Sequence, residues 1–307
     1  MLASEAYAMP SVPRTEIFDL HEILGGALSR TNSTFAVIGA IKALAQGLRF
    51  VALAMASCAM LAAQGANGQE VECLSYPYDQ AESVRDSRIR ELLLWLRVSV
   101  DQSSDLLRAL DTVRPEICLA DYVFGAEGFF DVYDGKIVID GTLSKGMMQA
   151  VLIHELRHIH QVRIGVCPGP MLSMHETARV TLAMEADASA VSLQLAWDLK
   201  QSGNPDTWNA LAAWPTHSDI ADAFEKEMDA SENVARATAQ AFAQWYISDW
   251  RREEYYLAAC SDYLDIQDAT HALPKYGLAS PEMFDRICTL PTGENYNCVI
   301  PTELNPW

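Results

Sequence analysis

The sequence predicts an α+β fold that is predominantly helical, with a small antiparallel sheet packed on one central helix. Three observations predict it. Residues 80–112 and 142–201 carry apolar side chains at helical spacing, three short strand-like runs lie between them, and residues 206–270 read as further helix. The composition is half hydrophobic and 21% charged, which fits a globular chain and not a disordered one.

The first segment differs from the rest. Residues 1–68 carry four basic and four acidic side chains, so the whole net charge of −19 belongs to residues 69–307. Phe50 to Ala63 reads FVALAMASCAMLAA, fourteen residues without a charge, after Lys42 and Arg49 and running into AAQGANG. A basic flank, a short apolar core and small residues form a secretory signal, here around residues 42–66, with cleavage expected close after Ala63. Fourteen residues fall short of the about 20 that a membrane span needs; the competing reading is a buried core helix. Cys58 could be acylated as a lipid anchor, but the preceding Met-Ala-Ser is a poor match for that processing. The protein is therefore expected to be exported, periplasmic or secreted, with no stable span in the mature chain. With 22 basic against 41 acidic residues, it lacks the charge to neutralise nucleic-acid phosphates.

Along the rest of the chain, Ile89, Leu92, Leu93, Leu96 and Val100 mark a helical region over 80–112 that Pro115 ends. ICLADYVF, FFDVY and KIVID then read as strands, the last two joined by Asp134-Gly135, a hairpin signal. After Gly141, Thr142 or Ser144 can cap a helix whose apolar faces are Met147, Met148, Val151, Leu152, Leu156 and Ile159. Gly165 and Cys167-Pro-Gly-Pro170 break it. A second helix follows over about 174–201 and ends at Ser-Gly-Asn-Pro. The Trp and Tyr residues of QWYISDWRREEYYL are expected to pack between helices. From Pro274 on, Pro, Gly and Cys indicate an irregular tail. Of seven cysteines, removal of Cys58 leaves six, an even set suited to disulfides in an exported chain. Cys288 and Cys298 flank the turn-rich TLPTGENYN and form the one pair that local sequence suggests. None has the CxxC spacing of a cysteine-built zinc site.

The chemistry lies in VLIHELRHIH. His154 and His158 stand four residues apart, about one helical turn, so both imidazoles can reach one tetrahedral Zn²⁺. Glu155 is rotated by about 100° and is free to take a proton from water. A catalytic zinc needs a third protein ligand. The extended HExxHxxGxxH form would supply one, but Gln161 and Ile164 occupy its Gly and His positions. His160 points off the ligand face and reads as an ordinary polar residue. On the next helix Ala178, Leu182, Glu185, Ser189 and Leu193 make one stripe, so Glu185 is a carboxylate in an apolar face, costly unless a metal uses it. Glu185 is the preferred third ligand, and Glu176, about half a turn out of phase, is its competitor. Asp187 is a candidate for orienting a histidine from behind. His175, His217, Tyr255, Tyr256 and His271 are candidates for stabilising a developing oxyanion, with no choice among them.

Residues 117–199 resemble the zinc-peptidase core of the gluzincins: a strand, an HExxH helix and a later helix with a glutamate ligand. HELRHIHQ followed by MEADASA is similar to an uncharacterised bacterial metallopeptidase family. The resemblance implies a zincin-like core, zinc ligands at His154, His158 and Glu185, and Glu155 as general base. It departs from the thermolysin-like form, having no Asn-Glu-x-x-x-Asp around Glu185, so no substrate class carries over. The expected organisation is a leader over 1–68, a zincin-like metallopeptidase domain over 69–273 with its metal-site core at 117–199, and a disulfide-tied tail over 274–307. The expected function is hydrolysis of peptide bonds in a peptide or protein substrate. The alternatives are a zinc hydrolase of non-peptide amides and an inactive binding protein of the same fold.

Overall fold

In the computed structural model, residues 71–101, 104–123 and 125–304 are described. The leader over 1–68, its apolar core at 50–63 and Cys58 lie outside the described residues. Among the described residues the strands are β1 (Val71–Leu74), β2 (Glu116–Ala120), β3 (Gly128–Asp131) and β4 (Lys136–Asp140). The helices are α1 (Val84–Ser99), α2 (Asp105–Val113), α3 (Lys145–Arg163), α4 (Met174–Gln201), α5 (Asp206–Ala213), α6 (Ser218–Ser231), α7 (Val234–Trp245), α8 (Asp249–Thr270) and α9 (Pro281–Ile287). The fold is thus α+β and predominantly helical.

The helical stretch over 80–112 divides in two. Ser83 caps α1 in a reciprocal box with Asp86, and Ser104 caps α2 by accepting from the Leu106 N–H. Arg114, left-handed at φ 55°, ends α2 one residue before Pro115. The sheet order is β1-β2-β4-β3. The β3–β4 hairpin is antiparallel, with Gly135 in the left-handed region its turn requires. The sheet as a whole is mixed, because β2 and β4 run parallel. After β2 the chain crosses to the far edge, runs back as β3 and returns as β4 between them. Sequence periodicity did not find β1, a four-residue strand antiparallel to β2. The Cys73–Cys118 disulfide joins directly opposed residues of this pair.

The centre is α3. Ser144 caps it through the Met147 N–H, while Thr142 instead bonds Asp140. Its side chains are buried on every face, from Met147 and Met148 to Leu156 and Ile159, which is the pattern of a helix inside a core. It contacts the sheet, α2, α4 and α5. Gly165, at φ 74°, turns the chain out of α3. The long α4 lies against α3, α7 and α8, with Ala178, Leu182, Ser189 and Leu193 of the expected stripe all buried.

The tail is more ordered than its composition suggests. It contains α9, a bridge between Thr289 and Asn295, and the Cys288–Cys298 disulfide. The six cysteines do not pair completely: Cys167 and Cys260 are free thiols. No described helix is long and apolar enough to cross a membrane.

One close approach sets the sheet against α3. A Cβ on Gly128 would lie 2.5 Å from a Val151 methyl carbon and 2.7 Å from the Val138 carbonyl oxygen. Gly128→Ala must therefore push β3 away from α3, one turn from His154. We expect a loss of about 1–3 kcal/mol in denaturant unfolding, the usual cost of overpacking; an unchanged midpoint would contradict this close packing.

Candidate metal centre

Helix α3 presents His154 and His158 one turn apart, and α4 presents Glu185 opposite them. The two Nε2 atoms are 3.0 Å apart. Glu185 places one carboxylate oxygen 3.4 Å from His154 Nε2 and the other 3.4 Å from His158 Nε2. One donor atom from each residue lies within 4.8 Å of the others, and no other such group of His, Cys, Asp and Glu occurs among the described residues. The competitor Glu176 is elsewhere: its carboxylate bonds Arg179 and the Ala279 N–H.

These three residues border a cavity of about 610 Å³. Each of their side chains keeps 13–19% exposure, so the cluster is open on its cavity side. Glu155 also lines the cavity, 5% exposed and outside the three-residue group. Its carboxylate accepts a hydrogen bond from the Phe130 N–H of β3. Burial pushes the Glu155 carboxyl up, more than the two imidazoles pull it down. At Glu185 the balance reverses. Burial again pushes up, but His158 and His154 outweigh it and hold the carboxyl well below the usual carboxylate range. His158 is the counterpart: burial pushes it down, and Glu185 and Glu155 outweigh that and raise it to about 9.

Behind the histidines lies a buried polar layer. His158 Nδ1 is 2.8 Å from Gln161 Oε1. Gln161 Nε2 donates to Asp187 Oδ2 at 2.7 Å and to the Met184 carbonyl at 2.9 Å. Asp187 therefore reaches His158 through Gln161 and not directly. Arg157 grips the same carboxylate with two bonds, at 2.7 and 2.9 Å, and Tyr296 donates to it at 2.7 Å. Sequence reasoning missed Gln161, Arg157 and Tyr296; the only local signal was Gln161, three residues after His158 on one helix face. His160 is buried away from the cluster, and burial, reinforced by Arg157, lowers it to about 4.

Of the five candidates for oxyanion stabilisation, His217 and Tyr255 line the cavity. His175 is half-exposed beside Glu176, His271 ends α8 in the left-handed region, and neither these two nor Tyr256 borders the cavity. Burial pushes the His217 imidazole down to about 3, so the ring is neutral near pH 7. The aromatic run serves two purposes. Trp245 and Tyr246 pack in the core as expected, while Trp250, Tyr255 and one side of Trp245 border the cavity.

Arg251, 3% exposed, holds this wall. It donates to Asp219 at 2.7 Å, to the Thr216 carbonyl at 3.0 Å and to the Trp245 carbonyl at 2.9 Å, tying α8 to the segment that carries His217. Burial raises the Asp219 carboxyl, but bonds from Arg251 and Gln244 outweigh it and hold it below its ordinary value. Such a group stabilises the native state fully above the unfolded pKa of about 3.9, and that contribution is lost as pH falls through the folded value. Melting temperature should therefore fall more steeply below about pH 4 in the wild type than in Asp219→Asn. Parallel curves for the two proteins would contradict this.

A family model described as "Putative metallopeptidase family (DUF6782)" matches residues 63–298. No curated protein and no solved structure matches the chain. The matched stretch includes α3, α4 and all the residues of the cluster and of the layer behind it. The chain belongs to this metallopeptidase family.

Proposed function

We propose that the protein is a zinc-dependent peptidase with His154, His158 and Glu185 as metal ligands and Glu155 as general base. Membership of a metallopeptidase family implies a metal and a peptide or protein substrate. The observation that carries the finer reading is the convergence of two imidazole nitrogens and a carboxylate at the cavity floor. Tetrahedral Zn²⁺, with bonds to nitrogen of about 2.0–2.1 Å, spaces neighbouring donors about 3.3 Å apart. The 3.0 Å between the imidazole nitrogens is near this spacing, and each nitrogen has one of the two Glu185 oxygens at 3.4 Å. Two histidines and one glutamate also make the donor set of a catalytic zinc, which keeps one position open. The same set on paired helices supports the gluzincin-like, zincin-type core.

A bound zinc supplies Lewis acidity, making water acidic near neutral pH and polarising a carbonyl. The protein supplies the rest. Glu155 takes the water's proton and returns it to the leaving amine; the environment that pushes its carboxyl up suits it to hold that proton in between. Of the candidate oxyanion donors, His217 and Tyr255 are favoured because both line the cavity. The substrate lies between β3 and α8. β3 is an edge strand, and Gly128, Phe129, Phe130 and Val132 border the cavity, so an extended peptide can align along it.

Base and ligands separate by mutation. Glu155→Gln should keep zinc and melt near wild type while turnover falls about 10²–10⁴-fold. His158→Ala should lose both metal and turnover. It should also lose the stabilisation that bound metal gives, about 2.7 kcal/mol at a hundredfold excess over Kd. Zinc content, melting and peptide hydrolysis measured on both variants check this. Full hydrolysis by Glu155→Gln, or loss of its zinc, would refute the assignment of the base.

Two disulfides are consistent with an extracellular location. We assign export to the signal around residues 42–66. Mass spectrometry of protein purified from its cells should find an N-terminus close after Ala63; mature protein that retains residues 1–60 would overturn this.

A further inference from the structure

We propose that Gln161 is the positioning residue of this metal centre: it fixes the tautomer and ring orientation of His158, and the C-terminal disulfide loop holds it in place. The inference rests on the metal reading above and concerns a residue with no part in the chemistry itself.

A glutamine amide can turn over, exchanging its oxygen and nitrogen, unless its partners forbid it. Here they do. Gln161 is fully buried, and its nitrogen faces the Met184 carbonyl and the Asp187 carboxylate. A backbone carbonyl has no proton to give. Asp187 faces four donors, two from Arg157, one from Tyr296 and one from Gln161, so both of its oxygens are already in use as acceptors. Both amide hydrogens are thus committed, and turning the amide over would set oxygen against two acceptors. The amide oxygen must face His158 Nδ1, where it can only accept. Nδ1 therefore carries the hydrogen in the metal-bound state, and the lone pair sits on Nε2, the atom 3.0 Å from His154 Nε2. The residue type also follows. A carboxylate at 161 would face Asp187 with like charge, and an apolar side chain would leave a buried Asp187 lone pair and His158 Nδ1 without a partner.

The chain of contacts ends in the tail. Tyr296 is 1% exposed. Arg157 also donates to the carbonyls of Ile287 and Thr289, at 3.0 and 2.6 Å. Cys288 and Cys298 close the loop that carries both Thr289 and Tyr296. A segment more than a hundred residues from His158 in sequence thereby completes the support of its imidazole.

The test uses the full mature protein loaded with Co²⁺, whose paramagnetism shifts the ring protons of its ligands. The wild type should show a shifted, slowly exchanging N–H proton assigned to His158. Gln161→Met, of similar length, should lose that signal to solvent exchange and bind Co²⁺ about 10–100-fold more weakly in chelator competition. Tyr296→Phe, remote from the metal, should weaken Co²⁺ binding in the same direction by less. It also serves as the measurement should Gln161→Met not fold. A merely structural role would lower stability without removing the His158 N–H signal. Variants that bind Co²⁺ like wild type and keep that signal would overturn the role of Gln161 alone. A folded wild type that takes up no Co²⁺ would overturn the metal reading, and this inference with it.

Discussion

Arg157 and Asp187 meet with no exposed surface on either side chain, and their paired hydrogen bonds join α3 to α4. Burying two charges is expensive, and breaking such a pair by removing one partner costs about 3–5 kcal/mol. Neighbouring groups offset that cost: Gln161 and Tyr296 donate to the carboxylate, and two tail carbonyls accept from the guanidinium Nη2, while Nη1 is left without a partner. The consequence of the pair is register. Arg157 precedes His158, and Asp187 follows Glu185 by two residues. A two-bond clamp between the first and last of these four therefore sets where the histidines of one helix stand against the carboxylate of the other.

The same low-polarity interior gives three acidic residues different characters. Burial raises Glu155, which has only one backbone N–H and the flank of two imidazoles to oppose it. Glu185 is less deeply buried and directly faces those imidazoles, and it is held low. Environments that push two carboxyls apart suit the separate roles proposed above, one to hold and release a proton and one to remain an anion. Asp187 does not border the cavity; four donated hydrogen bonds fix its side chain between the helices and the tail.

Much of this was legible locally. The HExxH spacing, the Ser144 cap, the Asp134-Gly135 turn and the span of α4 each depend on residues within one or two turns of each other. Glu185 could be preferred over Glu176 because a carboxylate in an apolar stripe stands out against helical periodicity. What escaped depends on distant partners. β1 is four residues long, too short for periodicity, and is defined by pairing with β2 some 45 residues on. The parallel pairing of β2 and β4 follows from a crossover that no local signal encodes. Tyr296 and Thr289 reach Asp187 and Arg157 across 109 and 132 positions. Nothing in a Pro- and Cys-rich tail announces that. His217 and Tyr255 could be named as candidates by residue type, and only tertiary packing brings them, and not His175 or His271, to the cavity wall.

The central claim is that α3 and α4 together build one zinc site. Diffraction from crystals of the wild-type protein with Zn²⁺, measured on both sides of the zinc absorption edge, tests it most directly. An anomalous peak bounded by His154 Nε2, His158 Nε2 and the Glu185 carboxylate is the expected result. A folded protein with no peak there, or with its zinc bound by Glu176 instead, would contradict it.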